Sequence, residues 1–315
     1  MRQGTAFRVD GAYSLVSVLV KGEQALALGL LVALLATFSV AHAITTEAKQ
    51  AIVVDAETGT VLYEKNARQQ MAPSSMTKVM TAYVVFNALR AGQLTLDTEF
   101  VVSEKARRRG GSTMWLEQGQ RVSVEELLIG LIVVSGNDSA IVLAEGFAGT
   151  EAEFAKIMNA TAVAIGMLDS NFVNASGWPD EGHLSTAWDL ALLGQRIISD
   201  HPDFYTYFAR KSYRFNDIIQ YNRNPILGDE LLGVDGIKTG HTQAGGYGVM
   251  ISAVREGRRV IIVLNGTTSK DTRKNEAEAL TDWALRAYGN YSLFRAGQVI
   301  EHAPVWLGQE STVPL

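Results

Sequence analysis

Two β-rich runs near the start of the chain and two near its end bracket a helical middle, and that order restricts the available folds. Ala51-Ile-Val-Val-Asp55 and Val61-Leu-Tyr-Glu64 flank Glu57-Thr58-Gly59, which reads as a hairpin with glycine at its turn. Residues 246–254 and 259–265 form a second pair of β-rich runs around Arg255-Glu-Gly-Arg258. From 75 to 89 apolar residues recur at helical spacing, and 124–147, 151–165 and 186–198 also read as helix. A loop containing glycine and proline fills 174–183, and 271–288 is the last strong helical pattern. Strands thus open and close the domain while helices fill its middle. The expectation is an α+β fold: a mostly antiparallel sheet, flanking helices and a helical insertion.

Composition excludes several classes. Of 315 residues, 47% are hydrophobic and 19% charged, which rules out a disordered chain. The net charge of -5 offers no basic surface for nucleic acid, so no such partner is expected. With no cysteine there is no disulfide framework or thiol nucleophile. The five histidines make no H-E-x-x-H pattern and no G-x-x-x-x-G-K-[ST] loop occurs, so no metal or cofactor is expected. Residues 25–40 are apolar, follow Lys21 and precede Ala41-His-Ala43. This pattern predicts an export signal spanning 1–43, cleaved after Ala43, and a periplasmic protein.

Three short motifs carry candidate chemistry. Ser75-Met-Thr-Lys78 opens a helix, where residues three apart share a face and Lys78 can reach the Ser75 hydroxyl. Serine needs a base to become a good nucleophile, and a buried, neutral lysine can be that base. Taken alone, this motif reads equally well as an exposed serine and lysine at a helix start. Ser135-Gly-Asn137 can present a hydroxyl and an amide to one cleft, or simply start a helix together with Asp138 and Ser139. Lys238-Thr239-Gly240-His241-Thr242 offers a fixed cation, hydroxyls for a carboxylate and a close backbone approach at glycine, or else is a basic turn. On an edge strand it can pair with an extended peptide.

In this order, 60 and 103 residues apart, the three motifs match the S-x-x-K, S-x-N and K-T-G signature of penicillin-binding proteins and class A β-lactamases. From about 51 to 288 the chain resembles the low-molecular-mass penicillin-binding proteins of the D-alanyl-D-alanine carboxypeptidase family, S11, of the penicillin-binding protein 5 and 6 type. Ala72-Pro-Ser-Ser-Met-Thr-Lys78, Ser135-Gly-Asn-Asp138, Asn222-Arg-Asn224 and Asp235-Gly-Ile-Lys-Thr-Gly-His-Thr242 carry the resemblance. It implies a β-lactamase/DD-peptidase-like fold, with Ser75 as the acylated nucleophile and Lys78 as its base. Ser135, Asn137 and Lys238 complete the implied catalytic set. The N–H groups of Ser75 and His241 form the implied oxyanion hole. Thr239, Gly240, Thr242, Arg223 and Arg273 line the implied substrate site. The implied substrate is the peptidoglycan stem peptide, with β-lactams as covalent inhibitors.

Such relatives continue into a β-rich domain and an amphipathic membrane anchor. Here 44–290 is expected to be the catalytic domain and 291–315 the truncated, poorly ordered start of the next, without the anchor. A β-lactamase is the nearest rival. The loop Gly177-Trp-Pro-Asp-Glu-Gly182 holds Asp180 and Glu181 but lacks a Glu-x-x-x-Asn pattern for deacylation, and the second motif is S-G-N rather than S-D-N. A D,D-endopeptidase and a non-catalytic peptidoglycan-binding scaffold are the remaining alternatives.

Overall fold

A computed structural model describes residues 44–289, 291, 293–295 and 297–314; the expected export signal lies outside them. In chain order the elements are β1 (Gln50–Asp55), β2 (Val61–Lys65), α1 (Lys78–Arg90), β3 (Glu99–Val101), α2 (Glu104–Arg108), β4 (Arg121–Ser123), α3 (Val124–Ile129), α4 (Asn137–Ala148), α5 (Glu151–Ile165), α6 (Ala187–Asp200) and α7 (Pro202–Tyr205). They are followed by β5 (Ser212–Phe215), β6 (Ile218–Tyr221), β7 (Val234–Thr242), β8 (Gly246–Arg255), β9 (Arg258–Thr267) and α8 (Lys270–Ala287). Beyond these, β10 (His302–Pro304) and β11 (Thr312–Pro314) pair as a short antiparallel ribbon.

The main sheet has the order β2-β1-β9-β8-β7 and is antiparallel throughout. The first hairpin docks on the last strand, with Gln50 opposite Asn265 and Asp55 opposite Val260. Val260 to Leu264 are all buried, which is why β9 reads as a continuous apolar run rather than an alternating one. Both faces are covered: α6 and α8 each pack on β9. At one end of the sheet a buried ion pair, Arg258 to Asp55 at 2.8 Å, ties the two hairpins together.

Helix α1 is apolar nearly all round because it runs through the core. Every residue from Lys78 to Phe86 is buried. Ahead of it, Ser74–Thr77 form a single 3-10 turn where an α-helix is expected from Ser75. A 3-10 turn eclipses residues three apart, so Ser75 and Lys78 still share a face. The expected single helix over 124–147 is interrupted. After α3, Gly130–Val134 make a π-helical turn, Gly136 N–H donates to the Gly130 carbonyl, and Ser135 is thrown into the left-handed region (φ 63°, ψ 35°). Left-handed backbone costs a non-glycine residue roughly 1 kcal/mol. The break aims Ser135 and Asn137 at one cleft instead of spacing them around a helix.

Candidate active site

Lys78 is 1% exposed, and its amine has three partners: Ser75 Oγ at 2.9 Å, Asn137 Oδ1 at 2.8 Å and the Ser176 carbonyl at 2.6 Å. Asn137 Nδ2 donates to the Gly110 carbonyl, which fixes the amide with Oδ1 toward the lysine. Two of the three partners are therefore pure acceptors, and each takes one N–H. A neutral amine has only two N–H groups and one lone pair. With both N–H groups committed, the lone pair faces the Ser75 hydroxyl. Burial is the main cause that lowers the Lys78 pKa, followed by the Arg223 cation. Asp138 and Glu151 oppose the shift, and the result is about 7. The amine is thus a ready proton acceptor near neutral pH.

The Ser176 carbonyl is held from several sides. Asn174 Oδ1 accepts from the N–H groups of Ser176, Gly177 and Trp178. Glu151, buried at the start of α5, accepts from Ala175 N–H at 3.2 Å and pairs with Lys105 at 2.7 Å and Arg109 at 3.4 Å. On the other side, Thr81 Oγ1 donates to the Ala175 carbonyl at 2.6 Å. Gly177 (φ 77°) lies so close to the Ser74 carbonyl that any Cβ would overlap it. Across the cleft, the buried Asp138 carboxylate accepts from the N–H groups of Met114, Leu116 and Ser139 and so fixes the opposite wall. Neither Glu151 nor Asp138 stands out in the sequence. Acidic residues in the first turn of a helix look like capping groups.

Strand β7 forms the third side and is an edge of the sheet, as peptide pairing requires. Lys238 is buried, with its pKa pushed well down by burial first and then by Lys78, Arg223 and Arg273. Its amine donates to the Thr239 carbonyl at 3.3 Å. Thr242 Oγ1 lies 2.8 Å from Ser74 Oγ, pinning the strand end to the nucleophile's turn. Arg223 donates to Ser112 Oγ at 2.6 Å. Arg273 is buried, and its Nε has no partner among the described residues. Its guanidinium lies 5.9 Å from the Tyr247 ring, on which the exposed His241 stacks at 4.0 Å. Tyr247 and Lys270 are site neighbours that the motifs did not reveal.

These elements enclose a cleft of about 730 Å³. Ser75, Ser135, Asn137, Arg223, Thr239, Gly240, His241, Thr242 and Arg273 all line it, together with Gly111, Ser112, Trp178 and Lys270. Lys78 and Lys238 lie buried against its floor. The geometry gathers the residues of all three motifs, with Arg223 and Arg273, into one place. It can deliver a serine alkoxide equivalent to a carbonyl held among cations.

Next to Lys78, His183 bridges Thr77 and the backbone. Nδ1 accepts from Val173 N–H at 3.1 Å, so Nε2 carries the proton toward Thr77 Oγ1 at 2.8 Å. Burial pushes its pKa down to about 4. Above pH 6.5 the ring is neutral in both folded and unfolded chains and contributes no pH dependence. Between 6.5 and 4 only the unfolded chain takes the proton, so stability falls with pH, by on the order of 3 kcal/mol in all. Urea unfolding at pH 7.5 and 4.5 measures this. The His183→Gln variant should show a distinctly shallower fall, and an unchanged fall would refute the assignment.

Comparison with known proteins identifies the family. The family model described as D-alanyl-D-alanine carboxypeptidase, peptidase family S11, matches residues 37–268. The D-alanyl-D-alanine carboxypeptidase DacD of Escherichia coli (strain K12) is 37% identical over 270 residues, covering 84% of this chain and 70% of its own. Penicillin-binding protein 5 from Haemophilus influenzae superposes with a TM-score of 0.83 at 34% identity, covering 86% of this chain and 80% of that one. Penicillin-binding protein D2 from Listeria monocytogenes, solved in its cefotaxime-bound form, gives 0.71 at 31% identity over 78% of this chain and 99% of that one. The fold is that of the penicillin-binding, β-lactamase-like proteins. A matching family model over most of the chain, relatives at 34–37% identity that share its fold, and all three motifs converging on one cleft place this chain in the D-alanyl-D-alanine carboxypeptidase family of peptidases.

Proposed function

We propose that the protein is a serine D-alanyl-D-alanine carboxypeptidase that removes the terminal D-Ala from peptidoglycan stem peptides. The observation that carries this reading is the orientation of Lys78: two carbonyl acceptors take its N–H groups and leave its lone pair on Ser75 Oγ. Ser75 Oγ attacks the carbonyl carbon between the two D-alanines as its proton passes to Lys78. The tetrahedral oxyanion sits between the N–H groups of Ser75 and His241. The C–N bond then breaks and the amine of D-Ala leaves with a proton relayed through Ser135. Water hydrolyses the ester and restores the Ser75 hydroxyl. The D-Ala carboxylate meets Thr239, Thr242 and Arg223, with Lys238 and Arg273 behind them. The substrate lies outside the cytoplasm, and the leader predicted for 1–43 would export the enzyme to the periplasm. No helix of the described residues is long and apolar enough to cross a membrane.

β-Lactams acylate the same serine and leave slowly, because Asp180 and Glu181, the carboxylates nearest in sequence to a deacylation base, line a neighbouring cavity rather than the cleft. Purified protein should release D-Ala from Nα,Nε-diacetyl-Lys-D-Ala-D-Ala. Benzylpenicillin should add its own mass to the peptide containing Ser75 and stay for minutes or longer. Rapid penicillin turnover without D-Ala release would mark a β-lactamase, and neither reaction would mark a scaffold.

A further inference from the structure

The two acceptors that take the N–H groups of Lys78 belong to distant parts of the chain. One is the Ser176 carbonyl, at 2.6 Å. The other is Asn137 Oδ1, at 2.8 Å, whose amide is fixed in turn by donation to the Gly110 carbonyl at 2.9 Å. The chain neighbours of these two arms converge on Glu151. Its Oε1 accepts from the N–H of Ala175, the residue before Ser176, at 3.2 Å. Its Oε2 accepts from Arg109, the residue before Gly110, at 3.4 Å. Lys105 of α2 adds a 2.7 Å ion pair to the same oxygen. The path therefore closes on itself: Lys78, Asn137, Gly110 with Arg109, Glu151, Ala175 with Ser176, and Lys78 again. One carboxylate gives one oxygen to each arm.

The Glu151 side chain is 6% exposed and does not line the cleft. Burying a carboxylate forfeits its hydration, and pairing it with cations does little more than offset that loss. Stability alone gives no reason for a charge here. Position does, because a carboxylate is the side chain with two strong acceptor oxygens on one rigid fork. Resting on the carboxypeptidase reading, with Lys78 as the base for Ser75, we propose that Glu151 is a positioning residue for acyl transfer: it locks the two acceptor arms to each other, so that neither swings away and lets the Lys78 lone pair leave Ser75 Oγ.

Glu151→Gln keeps the shape and divides the role. An amide has one oxygen, so it accepts on one arm and turns N–H groups toward the donors of the other. Penicillin acylation at its high-pH plateau should fall about tenfold, the effect of one buried donor losing its acceptor. Glu151→Ala frees both arms and should lower the plateau about a hundredfold, as a misplaced base does. Arg109→Met frees the Gly110 arm alone and should lower it about tenfold. Combined with Glu151→Ala, it should lower the rate by no more than about a further twofold, because the bridge is already gone.

The pH profile separates positioning from loosened packing. Lys78 is faced by Arg223, Lys238 of β7, Asp138 of α4, Glu151 of α5 and the neutral His183. Burial and then Arg223 lower its pKa to about 7, while Asp138 and Glu151 oppose them. Glu151→Gln removes one opposing charge, so the acylation midpoint should move below that of the parent. A loosened core would hydrate Lys78 and move the midpoint upward instead. Urea unfolding reports that each variant is folded, and if Glu151→Ala is not, Glu151→Gln and Arg109→Met carry the test. Plateaus within about twofold of the parent in those two variants would overturn the positioning role and leave the carboxypeptidase reading intact. So would a Glu151→Gln midpoint that stays or rises, or losses from Arg109→Met and Glu151→Ala that simply multiply. A parent enzyme that neither releases D-Ala from the diacetyl substrate nor is acylated by penicillin would overturn the carboxypeptidase reading and the positioning role with it.

Discussion

Replacing Lys78 with arginine should lower the rate of Ser75 acylation by about three orders of magnitude while the protein stays folded. Arginine keeps N–H donors for the Ser176 and Asn137 acceptors but stays charged where the working lysine is neutral. The lone pair is lost: a guanidinium stays protonated well above any working pH and cannot accept the serine proton. Loss of a general base typically costs 10²–10⁴-fold, roughly 3–5 kcal/mol of barrier. The parent enzyme carries a matching signature. With the amine pKa near 7, acylation should rise about tenfold per unit below pH 7 and level off above it. Benzylpenicillin acylation followed by rapid mixing across pH 5.5–9 measures both, with circular dichroism reporting the fold. An arginine variant within tenfold of the parent, or a parent profile flat through pH 7, would show that Lys78 is not the base.

The pairing of Ser75 with Lys78 was legible because it is local: three residues of one turn suffice. What makes that lysine a base was not legible. The Ser176 carbonyl arrives from 98 residues along the chain, and a main-chain acceptor leaves no mark on a sequence. Asn137 was found as part of a motif, but the π-helical turn that aims it is absent from the apolar pattern, because Leu131 to Val134 are buried whichever helix they form. Glu151 was hidden for a different reason. Its sequence context is an acidic first turn after a threonine cap, and only burial against Ala175 N–H separates it from an ordinary dipole partner. The sheet was the easier part, since hairpin turns and apolar strands are written in neighbouring residues. The site is assembled by tertiary approach, and the closest approaches are made by backbone.

Gly177 shows how much depends on such an approach. Gly177→Ala should cost about 3 kcal/mol of stability and reduce acylation at least a hundredfold. Its φ of 77° already disfavours a side chain by roughly 1–2 kcal/mol. The added Cβ would also overlap the Ser74 carbonyl and come within 2.9 Å of Thr77 Oγ1. Neither neighbour can yield cheaply. Ser74 is itself held at φ 51° in the turn before the nucleophile, and Thr77 is bonded to His183. The strand of loop from 174 to 178 must therefore move outward, taking the Ser176 carbonyl from Lys78 and freeing the amine to rotate off Ser75. Gly257→Ala separates the two causes. It has a similar φ of 80° but open space around the missing Cβ, at the β8–β9 turn. That variant should lose only the left-handed backbone cost, about 1 kcal/mol, with acylation unchanged. Urea unfolding and penicillin acylation on both variants decide the matter. If Gly177→Ala behaved like Gly257→Ala, the tight seating of this loop on the nucleophile's turn would not be what holds Lys78 in place.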